Sequence, residues 1–151
     1  MIAVGSDHGG FFLKDEIKKF LDESGYQYKD LGTFSDDPVD YPDIALTVAE
    51  AVAGGECEKG IIICGTGIGV CIAANKVRGI RAALCCDCYS ARMAAEHNDA
   101  NIITLGGRVL GPGIAVDIIR TWLSSKFSGG KHRLRVDKIS AIERKYCGGK
   151  R

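Results

Sequence analysis

Cys64 ends the apolar run GIIIC and opens a loop with three glycines in five residues, Gly65-Thr66-Gly67-Ile68-Gly69. Glycines at this spacing leave the backbone free to curl, and a helix starting behind them presents unpaired N–H groups and the positive end of its dipole. The combination suits an anion or a developing oxyanion. It is not a nucleotide P-loop, because no lysine and hydroxyl residue follow the last glycine, and it lacks the third glycine of a dinucleotide fingerprint at its usual spacing. A thiol at such a place is available as a thiolate for nucleophilic or general-base work. Plainer roles also fit: a small apolar filler at the end of a core strand for the cysteine, a structural turn for the glycines.

Other chemistry-bearing residues are scattered. Asp7 and His8 follow the run IAVGS and precede a glycine pair. Asp7 can accept hydrogen bonds from sugar hydroxyls or cap the next helix, and His8 can carry a proton or donate to phosphate. Arg108 stands in GGRVLG, and Lys131, His132, Arg133 and Arg135 follow a flexible SGG. Cations at a helix start oppose the helix dipole, so a bound anion would account for them; a solvated helix start is the alternative. Cys85 and Cys88 in CCDC have the CxxC spacing, but one pair is half of a zinc site and no second pair is suitably spaced, so no metal is expected. Cys57, Cys71 and Cys147, and the closing YCGGKR, receive no role.

The elements that must position these residues alternate regularly. Strands are expected at 2–6, 26–32, 60–64, 80–85 and 101–107, and helices at 11–25, 44–55, 69–77, 89–98, 112–127 and 134–146. The stretch 33–42, TFSDDPVDYP, reads as loop. Ile- and Val-rich strands each followed by a helix imply a parallel sheet covered on both faces: a Rossmann-like three-layer α/β/α sandwich, expected strand order 2-1-3-4-5. Ligands in such sheets bind beyond the carboxyl ends of the strands where the winding reverses, which brings SDHGG to face CGTGIG. His97, in EHNDAN before the fifth strand, falls at the opposite end. A five-residue strand spans roughly 17 Å, so His97 either ends a helix at the surface or completes a site in another subunit.

The chain has 151 residues, enough for a single domain over 1–151 that buries roughly 70 percent of its unfolded surface. A net charge of +1 suggests neither a nucleic-acid nor a membrane partner. The N-terminus MIAVGSDHGG shows no signal-peptide or membrane-span pattern, and the seven cysteines are odd in number. Reduced thiols and a cytoplasmic location are therefore expected.

GSDHGG, DYP at 40–42, CGTGIGVCIAANKVRGIRAA, YSARMAAEHNDANIITLGGRV, and GGKHRLRV followed by AIE together resemble the type B ribose-5-phosphate isomerases, grouped with the galactose-6-phosphate isomerase subunits. The likeness covers nearly the whole chain in order. It implies an aldose–ketose isomerase acting chiefly on ribose 5-phosphate and ribulose 5-phosphate, without metal or organic cofactor. Carried over, it makes Cys64 the base that moves a proton between C1 and C2, and His97 the acid that opens the sugar ring. Thr66 would position the reacting oxygens and the backbone from Gly65 to Gly69 would stabilise the enediolate. Asp7, His8 and Asn98 would hold the substrate, and Arg108, Lys131 and Arg135 its phosphate.

With the placement of His97, the resemblance implies a homodimer with shared sites, which can pair further into a tetramer. Two departures stand out. Lys131 occupies a position where the family commonly has arginine, and Val70 one where some members carry a glutamate base. Isomerases of allose 6-phosphate, galactose 6-phosphate or a free aldose remain open, as does a phosphate- or nucleotide-sensing module, which leaves the thiol and EHND unexplained.

Overall fold

The computed structural model of the protein describes residues 1–147; residues 148–151 of the closing YCGGKR lie outside the described residues. In chain order the elements are β1 (Ile2–Ser6), a 3-10 turn (His8–Gly10), α1 (Phe11–Glu23), β2 (Tyr28–Asp30), α2 (Tyr41–Ala53), β3 (Lys59–Cys64), α3 (Ile68–Ala74), β4 (Ala82–Leu84), α4 (Cys88–Asn98), β5 (Ile102–Gly106), α5 (Pro112–Ser124) and α6 (Lys131–Cys147). All strand pairs are parallel.

The side chains of β3 explain the three layers. Residues along a strand alternate between faces, and the buried Ile61 and Ile63 pack with Leu13, Ile17, Leu21, Ile118 and Trp122 of α1 and α5. Ile62 and Cys64 point the other way, into a cluster with Ala45, Val48 and Val52 of α2 and Val70 and Ala74 of α3. Cys64 is therefore committed to the α2–α3 face before any question of chemistry arises.

The strand order is β2-β1-β3-β5-β4, so the expected 2-1-3-4-5 is corrected at one edge. Burial explains the exchange. Every residue of β5 is buried, which requires a neighbour on each side, whereas the three residues of β4 are only half-buried and take the edge. The open side of β4 is capped by a side chain: Asn75 donates to the Ala82 carbonyl at 2.9 Å and accepts from the Ala82 N–H at 2.9 Å. This is how a natural sheet blunts an edge that could pair with another chain. The winding still reverses between β1 and β3, where the ligand crevice is expected.

The helix bounds shift modestly. α2 begins at Tyr41, inside the expected loop, with Pro42 in its first turn. α6 begins at Lys131, so the basic residues lie within its first turns and not ahead of them.

Candidate active site

β3 delivers Cys64 to the carboxyl edge of the sheet. Its Sγ accepts a hydrogen bond from the Gly67 N–H at 3.0 Å, which holds the buried thiol against the loop that follows. Gly67 is left-handed, φ 78°, and a side-chain carbon there would lie 2.8 Å from the Leu105 carbonyl carbon, so only glycine fits. Thr104 Oγ1 donates to the Gly67 carbonyl at 2.9 Å. The Gly107 and Arg108 N–H groups donate to the carbonyls of Cys64 and Gly65 at 2.7 and 3.0 Å. The loop is thus stitched to the end of β5. The Gly65 and Thr66 N–H groups find no partner among the described residues, while the Ile68 N–H donates to Thr66 Oγ1 at 3.3 Å.

Around this loop stand several of the expected residues. Arg108 lies over Gly65: a carbon added there would be 3.6 Å from its Nη1. Asp7 is buried, and its Oδ1 caps the 3-10 turn by accepting from the Gly10 N–H at 3.1 Å. The capping reading of Asp7 is the one this bond shows, and the residue also lies close to the loop, since a carbon added at Gly9 would touch both Asp7 Oδ1, at 3.3 Å, and the Gly65 nitrogen, at 3.0 Å. His8 Nδ1 accepts from the Val39 N–H at 3.3 Å, which leaves Nε2 as the ring donor. One wall was missed from the sequence: the Tyr41 ring packs so closely on Gly69 that an added carbon would sit 2.7 Å from it. The DYP stretch carried the resemblance but offered no spacing that placed this ring.

The remaining expected residues gather elsewhere. Asn101, just after EHND, accepts the Gly60 N–H through its carbonyl at 2.9 Å. Cys64 lies four residues further along β3, about 13 Å away at the usual rise of a strand. His97 and Asn98 therefore sit beyond the amino edge, away from Cys64 of their own chain. The His97 ring stacks on His132 of α6, centroids 4.0 Å apart and planes 11° from parallel. The same turns of α6 carry Lys131 and Arg135, both exposed. Desolvation, reinforced by His97 and by the cations Lys131 and Arg135, holds the His132 imidazole below its ordinary pKa. The sequence groups His132 only with the basic residues; nothing in the spacing predicts its stack with His97.

The CCDC stretch divides. Cys85 is buried, which pushes its thiol up to about 12, while Cys86 and Cys88 are exposed at the start of α4. Among the described residues, no three or more His, Cys, Asp or Glu side chains gather as a metal site. Nor is any described helix long and apolar enough to cross a membrane.

The two half-constellations, a thiol with a glycine loop and an arginine on one edge, and paired histidines with cations on the other, can be compared with known proteins. The family model described as Ribose/Galactose Isomerase matches residues 2–139. The ribose-5-phosphate isomerase B of Escherichia coli strain K12 is 50% identical over 144 residues, 95% of this chain and 97% of that protein. The D-erythrulose-4-phosphate isomerase of Pectobacterium atrosepticum is 46% identical over 147 residues, 94% of each chain. Among solved structures, the ribose-5-phosphate isomerase B of Clostridium thermocellum superposes with a TM-score of 0.95 at 59% identity, covering 96% of this chain and 98% of that one. With a family model over residues 2–139 and a relative 50% identical over 97% of its own length, the protein belongs to the ribose/galactose isomerase family.

Proposed function

We propose that the protein interconverts ribose 5-phosphate and ribulose 5-phosphate through an enediolate, in a site shared between two copies of the chain. The observation that carries the reading is the Cys64 Sγ held at the mouth of a glycine loop whose Gly65 and Thr66 N–H groups are unpaired among the described residues. His97 of the partner subunit protonates the ring oxygen as its bond to C1 breaks and the C1 hydroxyl gives up its proton to water, and the Cys64 thiolate then takes the proton from C2 of the open aldose. The electron pair moves to the carbonyl oxygen at C1, and the loop N–H groups receive the charge. A preorganised donor of this kind lowers such a barrier by about 3 to 4 kcal/mol. A proton passes between the two oxygens, which Thr66 positions, and the Cys64 thiol returns its proton to C1 to give the ketose. Val70 is fully buried in the α2–α3 cluster, so no carboxylate at that position competes for the role of base.

Asp7, His8 and Asn98 of the partner subunit hold the sugar, and Arg108 with the partner's Lys131 and Arg135 takes the phosphate, whose binding energy orients the reacting carbons. Ile68 and Ile72, one turn apart on α3 and both more than half exposed, offer the apolar surface that a second copy would cover. A thiolate base needs a reducing compartment, which supports the cytoplasm as its location.

Ribose 5-phosphate should yield ribulose 5-phosphate in the presence of chelator, and Cys64→Ala should lower turnover by about 10²- to 10⁴-fold with unchanged circular dichroism. Undiminished turnover in that variant would remove Cys64 from the mechanism. The 46% identical erythrulose-phosphate enzyme favours a second reading, the same chemistry on a shorter sugar phosphate. Turnover efficiency across four-, five- and six-carbon sugar phosphates and free aldoses decides between them. Tight phosphate or nucleotide binding with no turnover of any sugar would instead mark a sensing module.

A further inference from the structure

α4 ends without a glycine. Its cap, Asp99, is left-handed at φ 50° and ψ 42°, and it is the single non-glycine residue with positive φ among the described residues. That conformation is disfavoured for a residue with a Cβ unless its surroundings hold it. The holder is Arg81, at the foot of the edge strand β4. Its Nε donates to the carbonyls of both Asn98 and Asp99, at 3.1 and 2.8 Å, and its Nη2 pairs with Asp99 Oδ2 at 3.2 Å. One guanidinium thus satisfies two of the carbonyls a helix leaves orphaned at its end and places a cation at the negative end of its dipole.

Arg81 is itself fixed. Its N–H donates to Asn101 Oδ1 at 2.8 Å, and the same amide donates to the Gly79 carbonyl at 2.9 Å. On its other side Asp99 Oδ2 lies 3.9 Å from Arg133 Nη1 of α6. The Ser128 N–H, just ahead of α6, donates to the Glu96 carbonyl at 2.9 Å. One carboxylate therefore joins β4, the end of α4 and the first turn of α6, adjacent to Asn98 and two residues from the stacked His97.

We infer that Arg81 is a positioning residue: through Asp99 it fixes the bearing of His97 and Asn98, and through Arg133 the bearing of His132, Lys131 and Arg135, so that this half-site is presented to a second copy as one rigid group. The inference rests on the shared-site reading above. Arg81 touches no reacting atom and acts only through the groups it holds.

The two halves of the reaction separate the possibilities. Ribulose 5-phosphate has its terminal oxygen esterified and cannot close a five-membered ring, so deuterium uptake at its C1 from heavy water needs the Cys64 step without ring opening. Conversion of cyclic ribose 5-phosphate needs both. In Arg81→Met the ratio of aldose turnover to deuterium uptake, each at saturating substrate, should fall by about tenfold or more, the scale of a misplaced catalytic group. Asp99→Asn should lower the same ratio, and the double variant should be no worse than Arg81→Met, as expected of residues acting through one contact. Arg81→Lys, which keeps the charge but not the forked donors, should recover part of the ratio, and serves in place of Arg81→Met if that variant does not fold.

A ratio unchanged in these variants, or effects of Arg81→Met and Asp99→Asn that simply multiply, would overturn the inference. A wild type that turns over no sugar phosphate would sink the functional reading instead. The placement can then still be tested by nuclear Overhauser contacts between the His97 and His132 rings, expected in the wild type and lost in Arg81→Met. Their persistence in the variant would end the positioning role.

Discussion

At the scale of single residues, the site depends on a glycine whose replacement has no tolerable geometry. Gly67 donates its N–H to the Cys64 sulfur while holding φ at 78°, and Leu84 and the Leu105 backbone leave no room for a Cβ. Gly67→Ala should cost about 1–2 kcal/mol for the left-handed conformation alone, with more from the collision, and should depress turnover by disturbing the thiol. Urea denaturation and steady-state kinetics check this; an alanine variant equal to wild type in both would show that the loop relaxes freely. The glycine spacing and the thiol were legible in the sequence because a strand end followed by a helix start confines both to one edge. The contact from N–H to sulfur was not, since it depends on which of five residues turns left-handed.

Among elements, a buried ion pair ties α1 to β2 and the loop beyond. Lys14, fully buried, donates to Asp30 Oδ1 at 2.7 Å and to the Thr33 carbonyl at 2.6 Å, and Lys18 reaches Asp30 Oδ2 at 2.8 Å. The loop so anchored runs on to Val39, whose N–H meets His8. Burial by itself would raise the Asp30 carboxyl, but the hydrogen bonds from Lys14, Lys18 and the Gly32 N–H outweigh it and hold the group below 3.8. Because the folded value lies below the unfolded one, the unfolded chain binds more protons as the acid is titrated. The contribution of Asp30 is then complete above the ordinary carboxyl pKa of the unfolded chain and is lost as the pH falls through the lower folded one. Asp30→Asn strands the Lys14 charge and should cost about 3–5 kcal/mol at pH 7. In thermal melts its deficit against wild type should shrink as the pH is taken below the carboxylate range. A deficit that stays constant with pH would assign the loss to packing instead.

At the scale of the whole molecule, one chain places its thiol and its paired histidines at opposite edges of the sheet, so the proposed chemistry requires two copies. Mixing Cys64→Ala chains with His97→Ala chains should restore part of the activity through hybrid sites; no recovery after proven subunit exchange would sink the shared site. Ile72 is 58% exposed on α3 and contributes little to its own chain's core. Ile72→Lys should therefore leave the melting temperature of the fold within a few degrees but shift sedimentation toward monomer, with turnover lost in parallel. A fully active monomer would refute the proposal of an obligatory dimer.

The layers, the facing of SDHGG and CGTGIG, and the candidate thiol were legible from residue order, because hydrophobic period, strand–helix alternation and glycine spacing are local properties that the backbone must obey. His97 was placed at the far edge by the same logic, since a residue preceding a parallel strand enters the sheet at its amino side. Tertiary packing chose β5 over β4 as the neighbour of β3, set Tyr41 against the loop, and joined the EHND turn to His132 and Arg133 of α6 and to Arg81 at the foot of β4. Each of these is a choice between partners distant in the chain, settled by which pairing buries the most apolar surface and leaves the fewest polar groups unpaired.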